Sequence, residues 1–270
     1  MKKGFVSFIF CGALLALLQL AGPGTASAQG TNNPSGNSID KGDFKVGYAP
    51  LTLKEDPKKA MPKEAAELLE IIAKPLNETI ALPYDVYINF DKCGEANAFY
   101  SPVTKEITMC VEFLDEFERV FKRVSDDQKE IDDMVFGALS VFFFHELGHC
   151  LIDVWDLPAT GREEDAVDQL AMVVLLDGTR ESEQMVLATA VFFNVVSSEQ
   201  GDGELAFWGE HSLDQQRFYD MLCLTYGSNP EQNKHLVGDT RLPADRAVRC
   251  PTEYQRVDRA WGQLLGPYIK

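Results

Sequence analysis

Apolar residues recur at helical spacing through KEAAELLEIIAKPLNETIAL, from Lys63 onward, and predict a helix with Pro75 in its later part. YDVYINF, residues 84–90, instead alternates Val86, Ile88 and Phe90 with polar neighbours, the period of a strand. In NAFYSPVTKEITMCVEF a short strand at 97–100 leads through a turn at Ser101-Pro102 to a second strand near Glu106 to Val111. A charged amphipathic helix follows over Glu112 to Val124, and the rest of the chain reads mostly helical. The pattern predicts an α+β fold: a small antiparallel sheet from the first half, a central helix, and a mainly helical second half.

The central helix is the segment IDDMVFGALSVFFFHELGHCLIDVW, which is apolar on nearly every face after Asp133 and therefore buried all round. Ser125 and Gln128 fit a capping box at its start. His145, Glu146 and His149 lie in its most apolar part, where unpaired polar side chains are costly and need a compensating partner. Four-residue spacing puts the two imidazoles on one face, so both can reach one metal ion. Glu146 sits one residue round, close enough to touch a water on that ion without ligating it. This is the H-E-x-x-H arrangement of zinc hydrolases, and it implies one Zn2+ per chain.

A catalytic zinc takes a third protein ligand and keeps one position open. Pro158 and Gly161 break the first helix, and Thr160 with Glu163 match another capping box at the start of the next. Glu163 is thereby explained as a helix-start residue, leaving Glu164 and Asp168 four apart on one face. Acids in a first turn also favour the helix dipole. The nearby H-E-x-x-H nevertheless needs an acid, and this is the first buried helix able to give one, so Glu164 is the expected ligand. Asp168 is expected to accept the N–H of a ligand histidine and fix its tautomer.

The N-terminus changes the setting. Lys2 and Lys3 precede an apolar run from Gly4 to Leu20 and the small-residue site Ala26-Ser27-Ala28, the pattern of a secretory signal peptide over 1–28. Residues 29–43 read as a flexible polar leader, and 44–270 as a single domain. No second hydrophobic stretch is long enough to cross a bilayer once the signal is removed, which places the protein in the periplasm or outside the cell. The formal net charge of −17 repels phosphate backbones and anionic membranes, which argues against nucleic acid as a partner. Nothing in the pattern sets the oligomeric state.

Export favours disulfides, and five cysteines remain after the signal: Cys93, Cys110, Cys150, Cys223 and Cys250. Two bridges among five cysteines allow about fifteen pairings, so counting alone does not choose. Cys93 and Cys110 flank the strand-turn-strand unit, and Cys223 and Cys250 lie in the C-terminal helical part. That context favours Cys93–Cys110 and Cys223–Cys250. Cys150 is left as a buried thiol, since adjacent helical positions point about 100° apart and it can hardly share a metal with His149.

Together, His145-Glu146-x-x-His149 and Glu164-x-x-x-Asp168 resemble the zincin metallopeptidases, and within them the gluzincin branch, whose third ligand is a glutamate on a following helix. NAFY, 97–100, is similar to the edge strand of thermolysin-like enzymes, so the resemblance implies that Asn97 and Ala98 bind the substrate backbone. The mature chain also resembles a bacterial metallopeptidase family of unknown function through GEANAFY, HELGHC, GREEDAVDQLA and EHSLDQQRFY. The implied activity is zinc-dependent hydrolysis of a peptide or protein substrate, with Glu146 as general base. For His211 the resemblance implies a hydrogen bond to the oxyanion, assisted by Asp214 or Arg217; the alternative is an exposed helix-start histidine before Ser212. His235, in a polar loop, is expected to stand apart. Competing readings are a hydrolase of another amide, such as cell-wall peptide, and an exported protein that keeps zinc without catalysis.

Overall fold

The computed structural model describes residues 39–55, 61, 63–200, 207–239 and 241–270. The expected signal peptide, 1–28, and leader residues 29–38 lie outside the described residues. The end of that leader is docked against the domain. The N–H groups of Lys41 and Gly42 both donate to the Leu82 carbonyl, and a Cβ on Gly42 would stand 2.0 Å from the Tyr84 backbone.

The first half runs β1 (Phe44–Val46), α1 (Pro50–Glu55), α2 (Lys63–Thr79), β2 (Val86–Asp91), β3 (Ala98–Ser101) and β4 (Glu106–Cys110). Among the described residues these strands form one sheet in the order β1-β2-β4-β3. The α+β class is as expected, but the sheet is mixed rather than antiparallel. β1 pairs with β2 and β2 with β4 in parallel, and only β3 and β4 are antiparallel. The reason lies in the connections. α2 lies in the crossover from β1 to β2, the kind of link that parallel neighbours need. The tight turn 101–105, closed by Lys105 N–H to the Ser101 carbonyl, then lays β3 on the outside, so β4 returns alongside β2. β3 is therefore an edge strand.

The second half is helical: α3 (Glu112–Phe121), α4 (Gln128–Trp155), α5 (Glu163–Leu175), α6 (Arg180–Gln200), α7 (Asp214–Ser228) and α8 (Cys250–Leu265), with single turns Pro230–Asn233 and Ala244–Ala247 between the last two. α3 buries a stripe of Phe113, Phe117 and Phe121, and the Phe117 ring meets Phe192 of α6 edge-on at 5.0 Å. Against the expectation that no stretch beyond the signal is long enough to cross a bilayer, α4 is so by length and composition, but most of its apolar stretch is buried inside the protein. It starts at Asp127 rather than at a Ser125–Gln128 box. The Asp127 carboxylate accepts from the N–H groups of Lys129 and Glu130, which fits the positive end of the helix dipole, while Ser125 Oγ donates to Glu130. α4 ends on Asp156, whose φ of 50° is left-handed and turns the chain before Pro158.

Two features fix the parts that matter for chemistry. α4 and α5 touch at Gly148, where a Cβ would lie 2.8 Å from Val167 Cβ and Cγ1, so a residue without a side chain lets the helices close. Disulfides join Cys93 to Cys110 and Cys223 to Cys250, and Cys150 is a buried free thiol. The first bridge ties the loop before β3 to the end of β4.

Gly148→Ala is expected to lose about 1–3 kcal/mol of stability by overpacking. A thermal melt with an unchanged midpoint would contradict this account of the helix contact. Non-reducing peptide mapping should recover Cys93–Cys110 and Cys223–Cys250, with Cys150 alkylated only after unfolding; a bridge to Cys150 would refute the pairing.

Candidate functional site

α4 and β3 form two walls of an open cleft of about 810 Å³, closed on the other side by the start of α5 and the segment before α7. On α4, His145 and Glu146 are buried and His149 is partly so. The imidazoles of His145 and His149 turn their Nδ1 atoms toward carboxylates, His145 to buried Asp168 and His149 to Glu163 at the cleft wall. His145 Nδ1 is 2.7 Å from Asp168 Oδ1, and His149 Nδ1 is 2.7 Å from Glu163 Oε1. With neutral rings, each Nδ1–H donates to its carboxylate and each Nε2 carries a bare lone pair.

Those lone pairs face Glu164. Its Oε2 lies 3.2 Å from His145 Nε2, 3.4 Å from His149 Nε2 and 2.9 Å from His211 Nε2. The oxygen is buried and makes no hydrogen bond to any of the described residues. A carboxylate oxygen surrounded by acceptors is unstable unless a cation or protons stand between them. The chemistry of the set, imidazole nitrogen and carboxylate oxygen, is that of a zinc ligand set. Ligand atoms of His145, Glu164 and His211 come within 4.8 Å of one another, and His149 reaches the same oxygen from its own turn of α4. The residues present therefore fit a metal ion.

The surrounding charges show what holds these side chains. Burial lowers the pKa of His145, but the hydrogen bond to Asp168 and the negative charge of the facing Glu164 carboxylate override it and carry the ring up to about 9. Burial likewise raises Glu164, yet the three imidazoles facing it pull it well below the carboxylate range. Asp168 is buried, and the Arg217 guanidinium holds it down at about 2 against that desolvation. Arg217 grips it in a fork, with Nε to Oδ2 and Nη2 to Oδ1, both at 2.7 Å, and lies over the Phe193 ring at 4.1 Å. Glu146 is pushed up, chiefly by burial, although the Tyr100 backbone N–H of β3 hydrogen-bonds its carboxylate. Burial also pushes the Cys150 thiol up, as befits an inert core residue.

The expected site residues are thus brought together, with differences in how they are supported. Glu164 projects from the first turn of α5 toward the histidines, and Asp168 one turn later backs His145. Glu163 does not cap α5. The N-cap is Arg162, which makes no side-chain cap, and Glu163 reaches across to His149 because two successive acids splay around the helix, one toward each side of that imidazole. Arg217 serves Asp168 rather than His211. Ser212 is likewise no cap: its Oγ donates to Asp165 Oδ1, and α7 starts at Leu213, whose N–H donates to Gln216. Asn97 and Ala98 line the cleft at β3, while His235 sits in an exposed single turn elsewhere. Spacing could not reveal Arg217, which comes from a helix 49 residues beyond Asp168. The adjacent pair Glu163-Glu164 opposite two histidines was a usable signal for the second carboxylate.

Searches of curated proteins and of solved structures return no match. A family model described as "Putative metallopeptidase", DUF4344, matches residues 48–265. The match includes both helices that carry the converging histidines and carboxylates, the edge strand beside them and Arg217, and on this evidence the chain belongs to that metallopeptidase family.

Proposed function

We propose that the protein is an exported zinc-dependent peptidase that hydrolyses peptide bonds in the cleft between β3 and α4. The observation that carries this reading is the buried Glu164 Oε2 faced by imidazole nitrogens whose opposite sides are bound to carboxylates. His145, His149 and Glu164 would hold the ion, which when bound supplies a Lewis acid and a water of lowered pKa.

The chain's own residues supply the rest. Asp168 and Glu163 keep the two histidines in the tautomer that offers Nε2, and Arg217 keeps Asp168 ionised and in place. Glu146 takes a proton from the attacking water at its carboxylate and delivers it to the departing amide nitrogen. Burial has raised its pKa, which brings the base closer to neutral pH and makes the return of the proton easier. β3 is an edge strand, and it lines the cleft with Asn97 and Ala98, so an extended peptide can add to it by backbone hydrogen bonds. Export is supported by the charged, apolar and small-residue succession over 1–28 and by the two disulfides.

Glu146→Gln keeps the size of the side chain but cannot accept the proton. It should bind zinc stoichiometrically and lose about 10² to 10⁴ in turnover on a peptide mixture that the wild type cleaves. Equal rates at equal metal content would refute the mechanism.

His145→Ala, His149→Ala and Glu164→Ala should each abolish tight zinc binding, whereas Glu163→Ala should weaken it by roughly 10- to 100-fold through loss of the His149 partner. Metal analysis of dialysed proteins decides this, and a Glu163→Ala protein that holds zinc like wild type would remove Glu163 from the supporting set.

A further inference from the structure

His211 stands closer to the metal-binding carboxylate than either histidine of α4. Its Nε2 is 2.9 Å from Glu164 Oε2, against 3.2 Å for His145 and 3.4 Å for His149. With His145 and Glu164 it forms a group whose ligand atoms all lie within 4.8 Å, a group that His149 joins only through its 3.4 Å approach to Glu164, and its ring is nearly parallel to that of His145, with an interplanar angle of 17°. At 2.9 Å the two atoms, His211 Nε2 and Glu164 Oε2, are close enough to share either a proton or a metal ion, and the tests below separate the two. Bond lengths near 2.0–2.1 Å put the ligand atoms of one tetrahedral zinc roughly 3.3 Å apart. The three nitrogen–oxygen separations cluster around that spacing.

We propose that His211 is a fourth protein ligand of the metal in the resting protein, and that a substrate entering along β3 has to displace it. The inference rests on the metal reading above and changes the state in which the site waits. A site with His145, His149, Glu164 and His211 all bound is closed, and a closed zinc site does no hydrolysis. His211 is also the ligand built to leave. His145 and His149 are each backed at Nδ1 by a carboxylate, which raises ligand basicity and fixes the ring, whereas among the described residues nothing bonds Nδ1 of His211. Its side chain is 52% exposed, against 4% and 18% for the other two. The residues that follow are tethered by Ser212 to Asp165 and by Leu213 to Gln216, so His211 can swing while α7 and its Arg217 stay in place.

Metal spectroscopy tests this without relying on turnover. Cobalt(II) loaded into the metal-free wild type should give the intense visible bands of a four-coordinate site. His211→Ala should give a weaker, shifted spectrum, and added imidazole should restore it. In competition with a chelator, His211→Ala should bind zinc at least about tenfold more weakly, the lower end of what losing even a partner of a ligand costs. His235→Ala, which removes a histidine outside the cleft, should match wild type in both measurements. If His211→Ala fails to fold, as judged by circular dichroism, His211→Gln replaces it. Spectra and zinc affinities identical to wild type overturn the proposal, even where turnover falls, because His211 would then act only as a hydrogen-bond donor. A wild type that takes up no cobalt overturns both this proposal and the metal reading. Normal cobalt and zinc binding with no cleavage of any peptide would count against the peptidase reading alone.

Discussion

Lone pairs that point at one another are the constraint around which the helical half of the protein is arranged. Asp168 and Glu163 bind the outer nitrogens of His145 and His149, so the inner nitrogens face the buried Glu164 Oε2 with nothing to donate. That arrangement is stable only with positive charge at its centre. The supporting parts follow from it. α5 has to approach α4 closely enough for both of its first acids to reach across, which is possible because Gly148 has no side chain against Val167. Asp168 has to remain ionised in a buried position, which requires the forked contact with Arg217 and therefore fixes where α7 lies.

The apolar environment makes each of these contacts matter more. α4 is surrounded by core on most of its length, with Phe143 and Phe144 directly before His145 and Leu147 between the two histidines. A low local dielectric strengthens a satisfied polar network and penalises a broken one. The Arg217 guanidinium is itself sandwiched near Phe142 and Phe193, the same rings that join the aromatic cluster of α3 and α6. The polar centre and the aromatic core are therefore one packing unit, and damage to either is expected to be felt in the other.

Local periodicity made the strands, the long helix and the histidine pair readable, because each depends on residues within a turn or two of one another. Glu164 and Asp168 were readable for a second reason: a metal site creates a demand for an acid, and few buried acids were on offer. What the sequence did not display is pairing at a distance. The parallel neighbours β1-β2-β4 depend on a helical crossover, not on alternation within any strand. Ser-x-x-Gln and Thr-x-x-Glu are frequent patterns, and at both helix starts the side chains found other partners: Asp127 took the cap of α4, and His149 took Glu163. Arg217 could be placed on a helix but not opposite Asp168, since that contact spans 49 residues.

An edge strand that lines a cleft is open to any extended chain, including another copy of itself. β3 is four residues long, is followed by Pro102, which lacks an N–H, and is tied at its approach by the Cys93–Cys110 bridge. Glu146 already engages the Tyr100 N–H. Sheet growth from one molecule to the next needs a longer, freely hydrogen-bonding border than this. The strand can thus serve a single guest lying in the cleft while resisting the repeated stacking that leads exported proteins into fibres.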